Sequence, residues 1–147
     1  RDDYMDTPSK GYFRLFPGNK VRLRYAYVIE CIGYDKATDT VRCKVFEDSR
    51  SGTPGADSLK VKGNIHWVSV RHAHKAEVRI YDRLFKTATP ESVEDLNPES
   101  LKTIQAQLEP SLNGARNEAV QFERHGYFAV DGGKINMTVT LRDSWPK

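Results

Sequence analysis

Alternation of apolar and polar residues constrains this chain most. Over residues 20–31, Val21, Leu23, Tyr25, Tyr27 and Ile29 fall on one face, and Lys20, Arg22, Arg24 and Ala26 on the other. Period two over that length predicts a half-buried antiparallel strand. The signal returns at Val41, Cys43 and Val45. It is cleanest at Ile135, Met137, Val139 and Leu141, with Asn136, Thr138 and Thr140 facing out. Shorter strands are expected over 12–16, 65–70, 77–85 and 121–130. Pro17-Gly18-Asn19, the polar link Asp35–Asp39, the loop 48–58 and the hairpin signal Gly132-Gly133 supply turns between them. Many short strands with turns between them predict an all-β sandwich or barrel. One segment departs from this. Asn97-Pro98-Glu99 has the chemistry of a helix cap, and Leu101, Ile104 and Leu108 follow at helical spacing. The residues alone therefore predict a helix over 98–108, ended by Glu109-Pro110. Thr87–Asn97 is the weakest joint in the chain.

Composition narrows the class. The 147 residues make one ordinary domain or two very small ones. Mean hydropathy is −0.65, and no apolar run approaches the ~20 residues of a membrane span. Aromatics at 10% and a net charge of only +3 argue against wholesale disorder. The first residue is Arg1, with no signal-peptide pattern after it, so the sequence reads as a piece of a longer protein. Cys31 and Cys43 are too few for a disulfide framework and fit no zinc spacing. A hairpin would set them nearly opposite, and two free buried thiols are expected.

Residues 10–28 hold Lys10, Arg14, Lys20, Arg22 and Arg24 with no acid, interleaved with Tyr12, Phe13, Phe16, Tyr25 and Tyr27. On an extended strand Arg22 and Arg24 would project from one face about 6.6 Å apart. Guanidinium groups bridge phosphates or read guanine edges, and exposed rings stack on unpaired bases. The same pattern also fits a solvated basic face opposite a core. His66, His72, His74 and His125 do not make a zinc set, with Glu77 the acid nearest His74. No phosphate-binding glycine loop or nucleophile elbow appears, so no catalytic or metal residue is expected.

Seven segments occur in one order: YFRLFPGNKVRLRYAYVI (12–29), KVKGNIHWVS (60–69), EVRIYDRLF (77–85), NPESL (97–101), EPSL (109–112), QFERHGYFAVD (121–131) and LRDSW (141–145). Together they resemble the C-terminal anticodon-binding region of bacterial-type glutaminyl-tRNA synthetases, over nearly the whole chain. The resemblance implies two small antiparallel β-barrels, with the distal one inserted into the proximal one. Approximate bounds are 10–90 for the distal barrel, and 1–9 plus 91–147 for the proximal. It also implies that Lys102–Gln107 is extended, leaving at most a turn at Pro98–Leu101.

The implied function is recognition of the glutamine tRNA anticodon loop. Arg14 matches the arginine that reads the third anticodon base, guanine. Arg22 and Arg24 match the pair that holds the first base and its phosphate. Gln121, Glu123 and Arg124 match a cluster around the central uracil. Tyr12, Phe13, Lys20 and Tyr25 would support RNA contacts. Gly11 departs from the pattern, standing where a relative carries a glutamine, and an upstream arginine of the central-base pocket precedes the chain. The parent would be a class I aminoacyl-tRNA synthetase, cytoplasmic and monomeric, using ATP with Mg2+ in a catalytic domain of the same chain. The fragment itself would need no cofactor and touch no membrane. Related readings are the corresponding region of a glutamyl-tRNA synthetase, and a structural RNA-binding barrel like that of a ribosomal protein.

Overall fold

The computed structural model describes residues 3–115 and 118–141. The chain is all-β, with nine strands and three single-turn 3₁₀ helices among the described residues. It divides into two units between Trp67 and Val68. No helix among the described residues is long and apolar enough to cross a membrane.

In the first unit the strands are β1 (Lys20–Leu23), β2 (Val28–Asp35), β3 (Thr40–Phe46) and β4 (Gly63–Ile65), in sheet order β3-β2-β1-β4. Residues 20–31 are thus a hairpin, not one strand. Arg22 pairs with Val28, and the chain reverses through Tyr25 at a φ of 58°. The turn inverts the expected faces around it: Tyr25 is 78% exposed and Ala26 is buried. The core gathers Leu15, Val21, Ile29, Cys31 and Ile65. Cys31 lies directly opposite Cys43 across β2–β3. Both thiols are free, Cys31 buried and Cys43 half-buried. Burial, then the neighbouring Cys31, pushes the Cys43 thiol above its ordinary range.

In the second unit β5 (His74–Tyr81), β6 (Leu101–Leu108), β7 (Glu118–Phe122), β8 (Gly126–Asp131) and β9 (Lys134–Thr140) run in the order β6-β5-β9-β8-β7. Its core joins Ala76, Val78, Leu108, Phe128 and Ile135. Residues 101–108 are extended, overturning the helix over 98–108. All eight pair with β5, from Leu101 opposite Tyr81 to Leu108 opposite His74. A full antiparallel ladder outweighs an apolar spacing that only a lone helix could use. Asn97 instead accepts from the Glu99 backbone in a local turn. The expected strand 121–130 is likewise two strands, with Arg124 in the turn at a φ of 70°. Alternation in β9 fades along its length: Ile135 is buried, but Val139 is 58% and Leu141 43% exposed.

The division also departs from bounds of 10–90 and 1–9 plus 91–147. His74–Tyr81 belongs to the second sheet through its pairing with β6 and β9. Tyr4 belongs to the first unit, where it bridges Leu15 and stacks on Tyr34 at 4.6 Å. The LRDSW segment beyond Leu141 lies outside the described residues.

Candidate nucleic-acid interface

The basic and aromatic residues of 12–25 are placed by three separate devices. The segment before β1 is clamped from below: Asn19 Nδ2 donates to the Arg14 carbonyl at 2.7 Å. Leu15 donates to the Asp3 carbonyl at 2.8 Å. The clamp leaves Phe13 49% exposed. Arg14 faces solvent, and its Nη1 meets the Asp3 carboxylate at 3.1 Å with both side chains nearly half exposed. Tyr12 is set inward; its hydroxyl is buried without a hydrogen-bond partner among the described residues, and desolvation raises its pKa. Tyr12 is therefore half-buried, with its polar end turned into the protein.

Arg22 and Arg24 do not share one strand face. Arg22 stands on β1 and turns inward. Its Nη1 donates to the carbonyls of Ala26 at 3.2 Å and Ser49 at 2.8 Å and to Ser51 Oγ at 3.3 Å, and its Nη2 donates to the Ala56 carbonyl. It fastens the loop 49–56 to the β1–β2 turn. Arg24 sits in that turn, with its guanidinium 4.8 Å from the Tyr25 ring centre and donating to the Tyr25 hydroxyl at 3.1 Å. The turn is tied to the end of β4 by Arg24 N to the Ile65 carbonyl at 3.0 Å. Trp67 Nε1 adds a bond to the Arg24 carbonyl at 3.1 Å. An exposed ring beside an anchored guanidinium offers stacking and charge together.

Beside this segment lies a cleft of about 290 Å³, with Phe13, Gly18, Asn19 and Lys20 on one side and Lys60 and Lys62 on the other. Lys62 Nζ stands 5.4 Å from the Phe13 ring centre. Lys20 is already engaged, 3.6 Å from Glu30 and over the Phe46 ring. Lys60 and Lys62 have no ion-pair partner among the described residues. Their signal was present as two lysines in KVKG, but only the parallel pairing of β4 with β1 brings them beside Phe13. The pairing is close at Gly63, where a β-carbon would stand 1.9 Å from the Phe13 carbonyl oxygen. No larger residue fits there.

In the second unit, Gln121 is exposed on the edge strand β7, opposite Tyr127. Glu123 and Arg124 occupy the β7–β8 turn. Among the described residues, no three of His, Cys, Asp and Glu converge on a metal site.

Residues 64–131 match the family described as tRNA synthetases class I (E and Q), anti-codon binding domain. Along its full length the chain is 56% identical to a glutamine–tRNA ligase of Cupriavidus metallidurans and 56% identical to one of Ralstonia pickettii. It is 48% identical to one of Bordetella pertussis over 99% of the chain. The chain spans 28% of the length of the first two relatives and 27% of the third.

Proposed function

Because residues 64–131 match the anticodon-binding domain of the class I glutamate and glutamine tRNA synthetases and the full chain is 56% identical to part of a glutamine–tRNA ligase, we propose that the chain belongs to that family and binds the anticodon loop of glutamine tRNA. The observation that carries the chemistry is the neighbouring pair Phe13 and Arg14. An exposed ring and a solvent-facing guanidinium sit side by side on backbone that Asn19 holds fixed. Arg14 would read the third anticodon base, guanine, through O6 and N7. Arg24 and Tyr25 would hold the first base and its phosphate, with Arg22 fixing the loop behind them. In the second unit, Gln121, Glu123 and Arg124 would offer an amide, a carboxylate and a guanidinium to the central uracil. Lys20 would add positive charge.

On this reading each sheet is part of a small barrel, and the parent is a monomeric cytoplasmic enzyme that ligates glutamine to its tRNA. ATP with Mg2+ would act in the parent's catalytic domain, with no cofactor in this region. Anticodon binding would favour a productive state of that domain by differential affinity for two enzyme states.

Binding of the chain to a glutamine-tRNA anticodon stem-loop tests this, beside the same loop with its third anticodon guanine changed to adenine. A preference for guanine that is lost in Arg14→Ala is expected. Equal binding of both loops by the unaltered chain would overturn it.

A further inference from the structure

We infer that the cleft between Gly18–Lys20 and Lys60–Gly63 binds a phosphodiester of single-stranded RNA, with an adjoining base laid on Phe13. The inference rests on the anticodon-loop reading and adds a backbone-binding site to it. Three observations support it.

The first is charge. Several basic side chains of the first unit are already engaged: Arg14 by Asp3, Lys20 by Glu30 and Arg22 by four oxygens. Lys60 and Lys62 are exposed, have no ion-pair partner among the described residues, and face a cleft with no acid in its lining. An ammonium acts on a phosphate as a mobile point charge and needs no planar docking partner, which suits a site that holds backbone without reading bases.

The second is size. A cavity of about 290 Å³ lies just below the usual ~300–1,000 Å³ of small-molecule sites. It has room for a phosphate and part of a sugar, with the base outside. The third is the neighbouring ring. Phe13 is half exposed at the cleft mouth, with Lys62 over its face. A ring flanked by cations gives an unstacked base a platform regardless of its identity. Arg14 follows Phe13 directly, so the phosphodiester held here is the one beside the third anticodon nucleotide.

The test uses the chain as it stands, a Lys60→Gln/Lys62→Gln double variant and a Phe13→Leu variant. All three substituted side chains are exposed. The probes are the anticodon stem-loop, a short oligouridylate and inorganic phosphate. Binding is followed by anisotropy against salt, and by the amide resonances of Gly18 and Gly63. Both RNAs should shift those two amides. The double variant should bind both more weakly, with a salt slope shallower by about 1.4, from about 0.7 per cation on single strands. It should leave the preference for guanine unchanged. Phe13→Leu should weaken oligouridylate with little change in slope.

An unaltered slope in the double variant, or still amides at Gly18 and Gly63, would overturn the inference even if guanine preference is intact. Phosphate alone shifting both amides as tightly as RNA would reassign the cleft to a free anion. Loss of guanine preference with the oligouridylate effects retained would overturn the anticodon reading and leave the cleft standing.

Discussion

Arg22 donates from Nη1 to the main-chain oxygen of Ser49 at 2.8 Å, and Ser49 is completely buried. Ser49 Oγ in turn accepts from the Val28 amide at 2.8 Å. One guanidinium thus organises the loop behind the β1–β2 turn. Arg22→Ala should lower stability by about 2 kcal/mol, since it strips a charged donor from several partly buried acceptors. Arg22→Lys should recover little, because an ammonium cannot reproduce the planar fork. Urea midpoints measure both. A fully stable Arg22→Ala chain with abolished RNA binding would make Arg22 a direct contact instead.

If Arg14 reads the anticodon as proposed, Asp3 would compete with RNA for it. Their bridge is exposed, so it contributes on the order of 0.2–1 kcal/mol and is screened by salt. Asp3→Asn should therefore tighten stem-loop binding about 1.4-fold to fivefold at low salt, with the gain shrinking as salt rises. Arg14→Ala should remove about 1–3 kcal/mol of discrimination for guanine at the third anticodon base. Titrations of both loops with each variant check these outcomes; an equal loss on all anticodons would deny Arg14 its role.

Gly63→Ala should destabilise the first unit by about 1–3 kcal/mol through overpacking. The added methyl would stand 1.9 Å from the Phe13 oxygen and 2.7 Å from Val21 Cγ1. Relief requires β4 to move away from residue 13, which spreads the cleft. Melting temperature reports the first effect, and the Gly18 amide resonance the second. A variant as stable as the parent would show that the wall has slack.

Asp95 accepts from the Glu91 amide at 2.8 Å and the Ser92 amide at 3.2 Å. These two bonds, Glu91 first, hold its pKa below the ordinary 3.8. A depressed carboxylate stabilises the fold above its unfolded pKa and loses that contribution as pH falls through the folded value. The loop 91–95 should thus hold through the ordinary carboxylate range and open only below it, under about pH 4. Following the Glu91 and Ser92 amide shifts from pH 6 to pH 2 tests this. Asp95→Asn should bring the open-loop shifts to neutral pH.

Strand-forming residues were readable where a whole segment stays extended. The alternation at Val41, Cys43 and Val45 and over 135–141 falls on observed strands, β3 and β9. The break at Tyr25 was not readable, because aromatic residues in a tight turn preserve the alternating pattern. Only the pairing of Arg22 with Val28 exposes it. The helical spacing of Leu101, Ile104 and Leu108 was real but subordinate to β5, a partner that lies elsewhere in the sequence. The site was legible to the same extent. Phe13 and Arg14 are local and stood out as a basic and aromatic pair. The inward turn of Arg22 was not readable, because its acceptors lie largely on loop 49–56. The place of Lys60 and Lys62 was not readable either, because a distant strand pairing gives them their neighbours.

That pairing has a consequence for how the molecule is made. β1 and β4 run parallel, with β2, β3 and the long loop between them in sequence. Local hairpins close fast, whereas a parallel pair separated by that much chain must first meet the entropy of a large loop. The β1–β2 and β2–β3 hairpins should form early, and the Gly63 edge should dock late. A nascent chain therefore lacks one lip of the cleft until Gly63–Ile65 has left the ribosome.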